Sequence, residues 1–259
     1  MPEVDITVTQ SAHTWILRCP SWIEGQKPLE APFNKKKVRQ AIAMAIDKEK
    51  LLNLSWGGFG TIEVGPVPSL FKQHALDEAD QFPYDPVLAE KLLHEAGYPN
   101  GFSTELTTWN LPYMTKPAQL IQYMLKKVGI TVHLNILEMA QYFDRAYRYD
   151  LEMSLHVSTA GFDPEEYLVP YFGPLEQSTY YKWSNKEIWR MIKKQSGILD
   201  EKQRAAYIKE IQRKLLDDAP ILFLYSQDRF TATKPYVHPK YYAHDTQLLV
   251  CETYWIEKH

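Results

Sequence analysis

Two rhythms of hydrophobic residues interleave along this chain: alternation with polar neighbours in some stretches, and recurrence at three- and four-residue intervals in others. Ile6 and Val8 alternate before Trp15-Ile16-Leu17, so Val4 to Arg18 reads as one or two strands. The proline-rich stretch from Pro20 to Pro32 reads as a connector. Val38, Ile42 and Ile46 then share one helical face, with Ala41 and Ala45 beside them. Asp47 is placed to cap a second short helix, KEKLLNL, which stops at Gly57-Gly58. Tyr84 to Tyr98 carries a full set of helix signals. Asp85 is the N-cap and Pro86 the first helical residue; Leu88, Leu92 and Leu93 give the apolar face, and Gly97 the end.

Thr104–Thr108 is a strand candidate, and Pro117 to Val128 an amphipathic helix ended by Gly129. Ile130 to Ile136 alternates with period two, Met139 to Tyr147 is helical, and Leu151 to Val157 is another strand. Strand, helix, strand, helix, strand in this order predicts an α/β layered domain. Further on, Asn185–Ser196 and Glu201–Leu216 read as helices and Ile221–Tyr225 as a buried strand. The tail from Gln227 to His259 is aromatic and β-rich, and no internal repeat is found.

Length and composition narrow the function. The 259 residues suit one large or two modest domains. A net charge of −3 argues against a nucleic-acid partner, which would need a strongly basic face. No run approaches the ~18 apolar residues of a membrane span. Seven Trp, 17 Tyr and 10 Phe exceed what core packing usually uses, and point to a cleft lined with rings. Met1-Pro-Glu-Val-Asp lacks the basic start and apolar run of a secretory signal, so the expectation is a cytosolic protein or a chain without its front end. Cys19 and Cys251 lie near opposite ends, and the sequence leaves thiols and a bridge both open.

Catalytic and metal motifs fail one by one. Gly57-Gly58-Phe59-Gly60 follows a helix rather than a strand and lacks the Lys-Ser/Thr of a phosphate loop. GxSxG, HExxH and CxxC are absent. His238 and His244, the closest histidine pair, fall in the aromatic tail. Glu165-Glu166 after Asp163-Pro164 is either a carboxylate pair or an ordinary helix start favoured by the helix dipole. The expectation is a binding protein with no catalytic residue, no metal and no cofactor.

Five ordered blocks carry a resemblance. APFNKKKVRQAIAMAIDKEKLL (Ala31–Leu52), GGFGTIEVGPVP (Gly57–Pro68) and YDPVLAEKLLHEAGYPNG (Tyr84–Gly101) are followed by QLIQYMLKKVGITVHL (Gln119–Leu134) and DEKQRAAYIKEIQRKLLDDAPILFLY (Asp200–Tyr225). The chain resembles the family 5 extracellular solute-binding proteins, the dipeptide/oligopeptide/nickel-binding group of ABC importers. The resemblance implies an α/β fold of the type II periplasmic-binding-protein kind, a mixed sheet flanked by helices. Family members have two lobes that close over a ligand and are about twice this length. Residues 30–225 would be the second lobe, while 1–29 and 226–259 would be crossing segments of the first. The rest of the first lobe and an export signal would be missing, and Cys19 and Cys251 would share a neighbourhood.

The resemblance also implies a location outside the cytoplasmic membrane, an importer permease as partner, and an oligopeptide or oligosaccharide as ligand. A solute-sensing domain of a cytosolic transcription regulator is the alternative, and self-association through an uncovered cleft stays open. In peptide-binding members a Trp-x-x-Asp element precedes the Asp-Pro, its carboxylate pairing with the ligand's ammonium. Here Val157 and Ala160 take those places before Asp163-Pro164. The loop Thr108–Tyr113 also lacks the Arg that dipeptide-binding members use for the ligand carboxylate. Aromatic residues in these loops suit sugar rings or a neutral ligand instead. The implied ligand contacts are Trp109, Asn110, Tyr113, Ser158, Thr159, Phe162 and Asp163. Each has a structural alternative: Trp109 and Tyr113 as caps of the hydrophobic layer, Phe162 as core, Ser158 and Thr159 as strand-end bonds, Asp163 as a helix N-cap. Arg39 is read as a structural residue near the lobe junction.

Overall fold

A computed structural model describes residues 4–19, 32–77, 82–158, 161, 163–173, 185–238 and 255–256. The first stretch forms a single strand, β1 (Asp5–Arg18), rather than two. It is followed by α1 (Lys36–Ala45), α2 (Lys48–Trp56), the short strand β2 (Gly60–Ile62) and α3 (Pro86–Glu95). Next come β3 (Phe102–Trp109), α4 (Pro112–Lys127), β4 (Ile130–Leu137), α5 (Met139–Tyr147) and β5 (Met153–Val157). Helices α6 (Glu165–Phe172), α7 (Lys186–Gln195) and α8 (Glu201–Asp218) precede β6 (Ile221–Thr233), and β7 (Val237–His238) pairs with β8 (Trp255–Ile256). The expected connector at Pro20–Pro32 and most of the aromatic tail, with His244 and Cys251, lie outside the described residues.

Local chemistry starts and stops these helices. The Asp47 carboxylate accepts from the Lys50 amide and Asp85 from Leu88, each at 2.9 Å. Asn185 and Asp200 cap α7 and α8 in the same way, and such caps contribute about 1 kcal/mol each. Gly57 ends α2 in the left-handed region. α4 starts five residues before the sequence pattern suggests, with Pro112 in its first turn and Pro117 inside the helix on the buried face. The apolar period continues through both prolines (Met114, Pro117, Ala118, Ile121), so core packing outweighs the amide that Pro117 lacks. α6 begins at Glu165, so Asp163-Pro164-Glu165-Glu166 is a helix start.

The main sheet has six strands in the order β2-β6-β1-β5-β3-β4. β3 runs parallel to β4 and β5, whereas β1 is antiparallel to β5 and β6. Alternation along β1 divides the core. Trp15 and Leu17 join α1–α5 on one face, and Ile16 joins α6–α8 on the other. A register shift opposite Trp15/Ile16 sets Leu224 and Tyr225, consecutive on β6, into the same core cluster. Arg39 bonds the Phe33 carbonyl and both the carbonyl and carboxylate of Asp218, tying α1 to the end of α8. Cys19, just after β1, is fully buried, and burial pushes its thiol up to about 12.

β1 and β6 extend beyond the sheet. Only Trp15–Arg18 of β1 pairs with β5, but pairing with β6 continues from Arg18 back to Asp5. The outer halves make a two-stranded ribbon bearing the exposed apolar residues Ile6, Val8 and Phe230. At its base sits Glu63, 2% exposed. Its carboxylate accepts from the Ser226 hydroxyl (2.6 Å), the Ser69 hydroxyl (3.0 Å) and the Ser69 amide (2.8 Å). Gln10 of β1 reaches the Ser69 and Thr61 hydroxyls. Among the described residues, no helix is long and apolar enough to cross a membrane.

Two expected outcomes test these features. Burial raises the Glu63 carboxyl above its ordinary 4.5, against the hydrogen bonds and Lys48 that lower it. The folded state therefore holds this proton to higher pH than the unfolded state, and the wild type loses stability as pH rises through the window above 4.5. Glu63→Gln removes that slope, as denaturant titrations across the window will show. Gly101, at φ +70°, abuts the Gly129 carbonyl where a Cβ would overlap it. Gly101→Ala should cost roughly 2–4 kcal/mol in the same titrations, from left-handed strain plus the clash.

Candidate functional site

The three parallel strands end together. Trp109 is the last residue of β3, α5 follows directly on β4, and Val157 closes β5. In α/β sheets the carboxyl ends of strands are where loops diverge and leave a crevice. Here the crevice is bounded on its other side by the base of the β1–β6 ribbon. An open cavity of about 740 Å³ results. Its apolar lining includes Trp15, Trp56, Trp109, Tyr113, Phe143 and Phe230. Polar positions are Ser11, His13, Ser158, Gln227, Asp228 and Arg229.

The rings form two supported groups. Trp15 stacks on Tyr225 with centroids 5.5 Å apart, and Trp56 and Tyr113 meet it edge-on at 5.4 and 6.5 Å. The Trp56 indole N–H donates to the Tyr225 hydroxyl at 3.2 Å, which fixes the angle of both rings. Across the cavity, Trp109 stacks on Phe143 at 5.7 Å and meets Tyr142 edge-on at 4.8 Å. Beneath them lies a buried polar layer. Arg18 donates to the Tyr142 hydroxyl at 2.6 Å, and that hydroxyl bonds His156 Nδ1 at 3.2 Å. Burial, reinforced by the Arg18 charge, holds His156 well below its usual range, so it is neutral at physiological pH. The aromatic wall therefore rests on a buried, hydrogen-bonded layer.

The seven residues named from the sequence do not all meet at this cavity. Trp109 and Tyr113 line it, and Trp109 also belongs to the core, so both readings of that ring hold. Ser158 lines it with its hydroxyl already occupied. Its Oγ accepts from the Thr14 amide (3.0 Å), its own amide donates to the Thr14 carbonyl (2.8 Å), and its carbonyl accepts from His13 Nδ1 (3.0 Å). Asn110 is exposed and outside the lining, its amide donating to Leu137. Thr159 and Phe162 lie outside the described residues. Asp163 is also outside the lining: Arg204 grips both its oxygens at 2.7 and 2.9 Å, and its Oδ1 accepts from the Glu165 amide. Burial works to raise the Asp163 carboxyl, but bonds from Arg204 and Glu165 hold it below the usual carboxylate range.

Sequence reasoning missed Trp15, Trp56, His13 and Phe143. Their only advance signal was the excess of rings, because each lies in a segment whose local pattern is that of an ordinary strand or helix. Val157, in the place of the tryptophan expected from the resemblance, does line the cavity. Among the described residues, no group of three His, Cys, Asp or Glu side chains is placed to hold a metal ion.

Comparison with known proteins adds the family. Residues 9–179 match the model of bacterial extracellular solute-binding proteins, family 5 Middle. Heme-binding protein A of Haemophilus influenzae is 31% identical over 201 residues, covering 74% of this chain and 36% of that protein. Glutathione-binding protein GsiB of Pectobacterium atrosepticum is 28% identical over 232 residues, covering 84% and 44%. Among solved structures, the periplasmic binding protein DppA from Helicobacter pylori in complex with the peptide STSA superposes with a TM-score of 0.85 at 24% identity, over 100% of this chain and 50% of that one. A dipeptide-binding protein from Pseudoalteromonas in complex with Met-Leu gives 0.86 at 21%, over 99% and 51%. The chain thus spans less than half of these two curated relatives and about half of each structural neighbour. The neighbours share its mixed sheet flanked by helices, the type II periplasmic-binding-protein fold. With two thirds of its length matched by the family model, this chain belongs to the family 5 bacterial extracellular solute-binding proteins.

Proposed function

We propose that this chain holds one side of a ligand cleft in a solute-binding protein that works outside the cytoplasmic membrane and delivers its cargo to an ABC importer permease, without chemistry on the ligand. The observation that carries this reading is the ring-walled cavity at the carboxyl ends of β3 and β5, in a chain of this family. On this reading residues 30–225 are the second lobe and residues 1–29 and 226–259 are crossing segments of the first, with the inner end of β1, Trp15–Arg18, built into the second lobe's sheet. The pairing of β1 with β6 and the departure of their outer halves from the sheet support that division. The named relatives bind heme and glutathione, and the structural neighbours hold peptides.

The rings favour a ligand read largely by its faces, a neutral or blocked oligopeptide or an oligosaccharide, while Asp228 and Arg229 are the charged positions of the same lining. Flat rings such as Trp15, Trp109 and Tyr113 stack on peptide planes and sugar rings alike. Trp109, Tyr113 and Ser158 keep their role as ligand-facing residues, and Trp15, Trp56 and Phe143 join them. Thr159 and Phe162 are proposed contacts on the strength of the resemblance alone.

Indole fluorescence reads this site directly, since three tryptophans line it. Titration with N-acetyl-trialanine amide, free trialanine and maltotriose should shift the emission for at least one of them. No shift with any of the three, in the fluorescence and in calorimetry alike, would sink the binding reading. If the cleft reads faces, the capped tripeptide will bind within threefold of the free one; a free tripeptide bound a hundredfold tighter would restore an end-charge anchor. Trp109→Ala should weaken the best of these ligands by roughly tenfold, the loss of one ring contact of about 1 kcal/mol plus its buried area.

A further inference from the structure

The loop joining β5 to α6 begins at the cavity and ends outside its lining. Ser158, its first residue, is cavity wall, and Asp163, near its end, faces α8. Three of its described residues, Ser158, Gly161 and Asp163, are tethered. Ser158 continues the ladder to β1 through both its amide and its hydroxyl. The Gly161 amide donates to the Tyr167 hydroxyl at 2.7 Å, and that hydroxyl donates back to the Gly161 carbonyl at 3.2 Å. A Cβ at Gly161 would collide with the Glu166 side chain, so the backbone lies tight on α6. Asp163 is the third tether, gripped by the two terminal nitrogens of Arg204.

Arg204 is itself held in place. Its Nε donates to Gln195 Oε1 at 2.9 Å, and Gln195 is fully buried. The Gln195 amide nitrogen bonds Glu165 Oε2 and Ser196 Oγ, and Ser196 Oγ donates to Glu165 Oε2 at 2.8 Å. The network joins α6, α7 and α8, the layer behind the sheet, to a loop that opens on the cavity in front of it. A two-pronged guanidinium–carboxylate pair fixes direction as well as distance, which a single contact does not.

We propose that Arg204 is a positioning residue for the ligand site: through Asp163 it sets the loop that carries the cavity wall at Ser158. Asp163 is thereby a part of the binding machinery that does not touch the ligand. The effect on affinity rests on the binding function proposed above; the effect on the loop does not.

The test separates the two. Hydrogen exchange of the Ser158 and Gly161 amides and affinity for the best-bound of the three probes are measured for wild type, Arg204→Gln, Arg204→Lys and the control Lys214→Gln. The control breaks another ion pair of α8, the exposed one with Glu187. Arg204→Gln should speed exchange at both amides about tenfold and weaken the probe about tenfold, within the usual range of coupling between linked sites. Arg204→Lys keeps the charge but loses the fork, and should fall between. Lys214→Gln should change neither. Lower thermal stability in Arg204→Gln with exchange at Ser158 and affinity unchanged would overturn the proposal and leave Arg204 a merely structural residue. If wild type binds none of the probes, the binding reading fails and the exchange result alone decides the loop's dependence on Arg204. Should Arg204→Gln fail to fold, Asp163→Asn breaks the same pair and is held to the same outcomes.

Discussion

The pairing of β1 with β6 is the constraint on which the rest of this structure depends. It joins segments some two hundred residues apart in the chain and supplies two interior strands of the sheet. Everything between them must be arranged so that their edges receive β5 on one side and β2 on the other. Such non-local closure costs chain entropy before any apolar burial repays it, so folding must await long-range contact. Once formed, the pair defines two faces, because Trp15 and Ile16 are neighbours in sequence and opposites in space.

The division explains where the site lies. On one face the rings of β1 and β6 meet the ends of the parallel strands, where the helices of the front layer diverge. The buried Arg18–Tyr142–His156 layer supports that wall from below. On the opposite face Glu63 gathers the donors at the ribbon base. A carboxylate so enclosed is well satisfied, yet its burial still favours the protonated form. The ribbon is thus flanked by an apolar wall on one side and a polar knot on the other.

Much of this was legible in the residues. Asp47, Asp85, Asn185 and Asp200 mark helix starts because a capping carboxylate or amide acts within three residues, and the sequence displays such spacings openly. The α5 boundaries follow from apolar period alone. Other features depended on distant partners. β6 runs eight residues beyond its apolar stretch because β1 pairs with its polar half, and no local pattern announces a backbone partner two hundred residues away. The same holds for the cavity. Trp109 ends β3 and Tyr113 lies in the first turn of α4, on either side of a loop named from the resemblance, but Trp15 and Trp56 reach the cavity only through sheet order. Asp163 was visible as a charge beside a proline; that Arg204 claims it is a fact of helix packing.

Cys19 carries a consequence of its own. Its thiol stands at the point where β1 gives way to the following segment, wholly enclosed and with its ionisation pushed up to about 12. Thiolate is the reactive form, so alkylating reagents find neither the ion nor a path to it while the sheet is intact. Modification can proceed only in the moments when the end of the strand opens. The residue is therefore a built-in clock, and the pace of its labelling counts how often the structure opens locally at the inner end of the β1–β6 pair.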